Sequence, residues 1–204
     1  MTEEALPRVV TTRADGKRSW SLSFKSLDDE SCSEKVVPAL AEVSCEILDL
    51  SCNGIGPDGT RALCEVLAAQ DQVQEIDLSA NAVHNGGAEA LAQLLTSNTR
   101  ISRIDIHASQ VGDAGAKALA EVLMVNTTLR DLDLSANYIT DEGALALAKM
   151  LEVNTGLEAI SLRSNDFEET GKRALLAALE KNPRIKSLDG ADRMRDLESI
   201  CVCM

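Results

Sequence analysis

The sequence is poor in aromatic residues, with one Trp, one Tyr and two Phe among 204. A core built on aromatic clusters is therefore excluded, and the 45% of hydrophobic residues must pack as aliphatics. Basic charge is scarce too. Twenty Lys and Arg against 33 Asp and Glu leave a net charge of −13, which repels phosphate, whereas nucleic-acid binders carry a basic footprint. DNA and RNA are poor partners for such a chain. There is no run of the roughly 18 apolar residues needed to span a bilayer, and the opening MTEEALPRVV lacks the charged and apolar regions of a signal peptide. A cytoplasmic protein is expected. The six cysteines form no CxxC pair, so free thiols are expected. A chain of this length can bury a core without disulfides or metals.

What the sequence does have is periodicity. Val73, Ile101, Leu129, Leu157 and Ile185 are spaced 28 residues apart, and Cys45 opens an earlier copy in the same register. The blocks read CEILDLSCNGI, VQEIDLSANAV, ISRIDIHASQV, LRDLDLSANYI and LEAISLRSNDF. Five units of 28 thus fill residues 45–184 without insertion or deletion. Leu48, Ile76, Ile104, Leu132 and Ile160 alternate with polar residues, which predicts one short half-buried strand per unit. Asn53, Asn81, Asn137 and Asn165, with Ser109 in the third unit, follow each strand. A stacked asparagine ladder there would satisfy backbone groups as the chain turns off the strand, and the shorter Ser109 would loosen it locally. Gly59, Gly87, Gly115, Gly143 and Gly171 allow close packing near each helix start. Leucines at helical spacing, such as Leu147 and Leu151, predict a helix per unit. Thr140 reads as an N-cap before Asp141 and Glu142, and Asn98, Asn126, Asn154 and Asn182 sit where a left-handed residue would end each helix.

A lone unit of this kind cannot bury its apolar face, so the array needs neighbours and end caps. Residues 17–44, where Trp20 and Leu22 fall in the strand columns, are expected to form a degenerate N-terminal capping repeat, with its helical part around Val36 to Val43. Residues 1–16 are expected to be a flexible N-terminus, and residues 185–204 a cap strand followed by a tail.

The unit LRDLDLSANYITDEGALALAKMLEVN, from Leu129, resembles the leucine-rich repeats of the ribonuclease-inhibitor subfamily. Similar repeats occur in ribonuclease inhibitor, the Ran GTPase-activating protein, NOD-like receptors and the actin-capping end of tropomodulin; the joints SNTRI, VNTTL and VNTGL look most like the last two. The resemblance implies an α/β fold, a right-handed solenoid of horseshoe shape with a parallel sheet on the concave face and helices on the convex one. It also implies binding of other proteins.

On each strand the residues between buried positions face the concave side. The candidate binding face is therefore Asp49, Glu75, Asp77, Arg103, Asp105, His107, Asp131, Asp133 and Arg163. Neighbouring strands lie about 4.8 Å apart, so Asp49, Asp77, Asp105 and Asp133 would stack as a column of like charges suited to a basic protein surface. The plainer alternative is that LDLS is this repeat's wording and the aspartates are solvated or internally paired. No catalytic residues, cofactor or metal are expected: His84 and His107 share no column, and the glycines belong to the repeat. Cys201-Val202-Cys203-Met204 fits a prenylation box, with Cys201 as the lipid site, which would make membrane association reversible. The leading expectation is a monomeric, cytoplasmic protein-interaction module. The alternatives are a small-GTPase regulator resembling the Ran activator, or a tropomodulin-like actin-binding protein.

Overall fold

The computed structural model of the chain describes Leu6 and residues 8–188. Its elements run β1 Val10–Thr12, β2 Arg18–Ser21, α1 Asp29–Ser31, a π-helical stretch Cys32–Val36, α2 Val37–Leu40, β3 Ile47–Asp49, α3 Pro57–Ala68, β4 Glu75–Asp77, α4 His84–Leu95, β5 Arg103–Asp105, α5 Asp113–Leu123, β6 Asp131–Asp133, α6 Asp141–Val153, β7 Ala159–Ser161, α7 Glu169–Lys181 and β8 Ser187–Leu188. The eight strands form one sheet in chain order. From β2 to β8 all pairs are parallel, each residue facing the one 28 positions on, as Leu48 faces Ile76 and Ile104 faces Leu132.

This is the expected leucine-rich repeat solenoid, and its core lies between the sheet and the row of helices. Leu48, Ile76, Ile104, Leu132 and Ile160 from the strands are buried against Leu63, Leu91, Leu119, Leu147 and Leu175 from the helices. Ala88, Ala116 and Ala144 are fully buried where one helix meets the next. Close approach is enforced at Gly143, where an added Cβ would lie 2.6 Å from Asp113 Oδ1 and 2.7 Å from Ile139 Cγ2.

Three ladders of side chains tie coil to coil. In the first, the asparagine that follows each strand binds backbone on both sides. Asn137 donates from Nδ2 to Ile106 O of the coil before (2.9 Å) and to Leu134 O of its own (3.0 Å), while its Oδ1 accepts from Val111 N and Ser109 N. Asn53, Asn81 and Asn165 repeat the pattern. In the second, a residue in the first turn of a helix accepts from the next coil's helix start: Asp113 Oδ1 takes the N–H of Thr140 (2.8 Å) and Gly143 (2.9 Å). Asp29, Asn85 and Asp141 do likewise.

The third ladder corrects an expectation. None of Asn98, Asn126, Asn154 and Asn182 has a positive φ, and Asn154 is extended at φ −64°, ψ 133°. They serve through the side chain instead. Asn126 Nδ2 donates to Leu95 O of the previous helix (2.9 Å), and its Oδ1 accepts from Thr128 N and Leu129 N. The last carbonyls of one helix are thus satisfied by the next coil, and no left-handed cap is needed.

Two expectations about the N-terminal region also change. Residues 10–12, placed in a flexible segment by the sequence, form β1, paired antiparallel to β2 with Val10 opposite Trp20. The β-branched Val-Thr-Thr run covers what would otherwise be an open sheet edge. The cap's helical part runs over Asp29–Leu40 rather than Val36 to Val43. It starts where Asp28 accepts from Ser31 N at 2.8 Å. Pro38, lacking an N–H, cannot make the α-helical bond, and the turn before it widens, Val37 N–H donating to Cys32 O five residues back.

Each coil also carries a left-handed residue just before the ladder asparagine, and none of them is glycine. Cys52, Ala80, Ala108, Ala136 and Ser164 have φ between 51° and 55°. This conformation lets the chain turn while its N–H still bonds the next strand, as Ala80 N does to His107 O at 2.8 Å. A left-handed alanine costs about 1 kcal/mol, of the same order as the entropy that glycine gives up on folding. Ala80→Gly and Ala136→Gly are therefore expected to leave urea stability unchanged or raise it by up to about 1 kcal/mol. Ala144→Gly, buried in α6, is expected to lower it by about 1 kcal/mol or more. Equal losses in both classes would refute the left-handed strain.

Candidate protein-binding face

Strand register brings the predicted face together. Asp49, Asp77, Asp105 and Asp133 are mutually paired across β3 to β6, in line with Ser161 of β7. One step back, Ile47, Glu75, Arg103, Asp131 and Ala159 form a second column. The acids are half-buried.

The aspartates have a local task. The Oδ1 of Asp77 accepts both the N–H (2.9 Å) and the hydroxyl (2.6 Å) of Ser79, and Asp49 with Ser51 and Asp133 with Ser135 do the same. Asp105 accepts from His107 N at 3.1 Å. These bonds satisfy the backbone where each three-residue strand ends, so the Asp-Leu-Ser wording has a structural cause. The second oxygens differ in their fate. Asp49 Oδ2 accepts from Ser21 Oγ at 2.6 Å and Asp105 Oδ2 from Arg103 at 3.3 Å. Among the described residues no basic side chain pairs with Asp49, Asp77 or Asp133.

The second column is nearly neutralised by the chain itself. Arg103 bridges Asp131 (2.7 Å) and Asp105 (3.3 Å). Glu75 pairs with Lys17 and lies 3.8 Å from Arg13, both in the turn between β1 and β2. Nothing in the sequence marks Lys17 and Arg13 as part of this face, because the hairpin has no counterpart in the repeat. The helix-start ladder has a sequence signal of its own, since Asp29, Asn85, Asp113 and Asp141 share one 28-residue register. Burial raises the pKa of Asp105; the His107 N–H opposes it, Asp77 and Asp133 add to it, and Arg103 opposes it. Asp131 is raised in the same way, by burial first, with Arg103 opposing and Asp133 and Glu75 adding.

His107 is exposed, and its Nδ1 lies 2.9 Å from Ser135 Oγ. Ser135 gives its only proton to Asp133 at 2.5 Å, so His107 must donate from Nδ1. The serine is consequently not activated by the imidazole. Arg163 is exposed just past β7 and stands outside the acid columns. Cys201 lies outside the described residues, as does all of 189–204. Cys32, Cys45 and Cys64 are buried free thiols. Burial pushes Cys32 and Cys64 up to about 12 and Cys45 up to about 11, so they stay protonated at neutral pH. No helix among the described residues is long and apolar enough to cross a membrane.

Residues 62–188 match the model of the TMOD/LMOD leucine-rich domain family, and residues 46–64 match a leucine-rich repeat model. Among solved structures, a tropomodulin C-terminal domain from Caenorhabditis elegans aligns over 77% of this chain and 94% of its own, at 16% identity and a TM-score of 0.57. The leiomodin-1 actin-binding site 2 structure aligns over 61% of this chain and 72% of its own, at 19% identity and a TM-score of 0.49. The likeness to the first shows the shared fold. No curated protein matches the chain.

The carboxylates should respond to acid in opposite directions. Asp105 has a raised pKa when folded, so its contribution to stability is greatest below the unfolded value of about 3.9 and falls as pH rises through the folded value. Burial also raises Asp113, but bonds from the Thr140 hydroxyl and the Thr140 and Gly143 amides outweigh it and leave the pKa lowered. Its contribution is present above the unfolded value and lost as pH falls through the folded one. In urea titrations, Asp105→Asn is expected to be more stable than wild type at pH 7 and Asp113→Ala less stable, both differences shrinking on acidification. Either difference growing toward low pH would show that the assigned shift has the wrong sign.

Proposed function

Because the chain belongs to the TMOD/LMOD leucine-rich domain family, we propose that it is a non-catalytic protein-binding module of the cytoplasm whose partner is actin. The observation that carries this reading is the family match over residues 62–188, which spans β4 to β8 and most of the concave acids. One of the solved relatives is itself described as an actin-binding site. The small-GTPase reading has no comparable support.

Asp49, Asp77, Asp105 and Asp133 are proposed to receive a basic surface of the partner. Their Oδ1 atoms are committed within the coil. At Asp77 and Asp133 the second oxygen has no bonded partner among the described residues. A lysine or arginine placed along the column would relieve repulsion between carboxylates about 4.8 Å apart.

Co-sedimentation with filaments and the rate of pointed-end elongation test the module. The protein is expected to bind actin or to slow elongation. Absence of both effects would overturn the actin assignment. The combined variant Asp77→Lys, Asp105→Lys, Asp133→Lys, checked for retained folding, is expected to weaken binding at least about tenfold, or about 1.4 kcal/mol. Binding by that variant at wild-type strength would remove the concave column from the interface and leave the module reading standing.

A further inference from the structure

We propose that the second coil, residues 73–100, is a built-in joint that opens on the helical side of the solenoid while the sheet stays closed. Two ladders fail around this one coil. The position that staples the next helix start is occupied by Asp29, Asn85, Asp113 and Asp141, but in the first coil it is Pro57, which has no side-chain acceptor. The strand-end asparagine is replaced in the third coil by Ser109. Its hydroxyl still reaches Leu78 O at 3.1 Å, but no bond from Val83 N to Ser109 replaces the one that Asn137 accepts from Val111 N.

The backbone of the second coil has responded to both losses. In the other coils the helix-cap residues Gly56, Gly112, Thr140 and Glu168 are extended, whereas His84 at the same position has φ 52°. Gln110, next to Ser109, also has a positive φ, at 62°. The bond that Tyr138 N makes to Val111 O, and Asp166 N to Ile139 O, has no counterpart between Gln110 N and Val83 O. His84 N donates instead to Ser109 O at 3.0 Å. Helix α4 receives no side-chain cap, and Val83 before it is already helical. Across the same junction β4 and β5 remain paired, Glu75 with Arg103 and Asp77 with Asp105.

The first coil and the cap are stapled to each other, and so are the second to fifth coils, the second to the third through Asn85. A weak helical row between two stapled blocks gives a hinge whose axis is the sheet. Its opening would alter curvature while keeping strand register, so Asp49 would tilt against Asp77, Asp105 and Asp133 without losing its alignment.

Residue-resolved amide exchange on the full chain under native conditions tests the joint. His84 and Gly87 are expected to exchange at least about fivefold faster than the matching pairs Gly112 and Gly115, or Thr140 and Gly143, the factor that a lost cap of ordinary strength produces. They should also exchange faster than Gly56 and Gly59, which lie nearer the N-terminus; the reverse order would mean simple end fraying and would overturn the joint. Equal protection at His84 and Gly112 would overturn it as well. The variants Pro57→Asp and Ser109→Asn, which supply the missing acceptors, are expected to slow exchange at His84 and Gly87 by a similar factor. Folded variants that leave those rates unchanged would show that the missing staples are not the cause.

Discussion

Everything in this fold follows from the backbone groups left over where each short strand ends. A strand of three residues and a tight turn into a helix leave amides and carbonyls in a place where water is largely excluded, and such groups must be paired. No coil can pair all of its own. The asparagine of one coil serves the turn of the coil before it, the first helical residue serves the helix start of the coil after it, and a second asparagine takes the last carbonyls of the preceding helix. Stability is thus shared between neighbours, and the 28-residue spacing is held without insertion because one added residue would put every such bond out of register.

The same constraint shapes the concave face. Because the strands are so short, the residue that ends a strand is also the residue that must cap the turn. Aspartate does this with one oxygen, which explains why an unfavourable stack of carboxylates is tolerated across four strands. Burial and mutual repulsion raise the pKa at Asp105, and Arg103 is placed where it offsets part of that.

Most of the fold was legible in the sequence because the repeat states it five times. The strand columns, the asparagine ladder, the helix-start glycines and the aspartate column all occupy the places their spacing implies. What was not legible lies where repetition gives no help. The β1–β2 hairpin occurs once, so its Arg13 and Lys17 could not be placed against Glu75, the second of these contacts spanning 58 residues of sequence. The widened turn before Pro38 likewise has no repeated copy. Asn98 and its equivalents are visible in the sequence, but a helix-ending asparagine suggests a left-handed cap; only the neighbouring helix end shows that the side chain, not the backbone, is the active part.

A carboxylate has two oxygens, so the structural bond of each aspartate is compatible with the binding role proposed for the column. Oδ1 is turned inward to the residue two positions on, and that bond fixes the side-chain rotamer. A fixed rotamer removes the entropy a partner would otherwise have to remove on binding. The structural bond therefore preorganises the second oxygen, and the strand spacing repeats it at regular intervals. Arg103 and Lys17 show that cations do settle on the neighbouring column of this face. The charge that first served only to exclude nucleic acid is held, on these strands, in a rigid and ordered array.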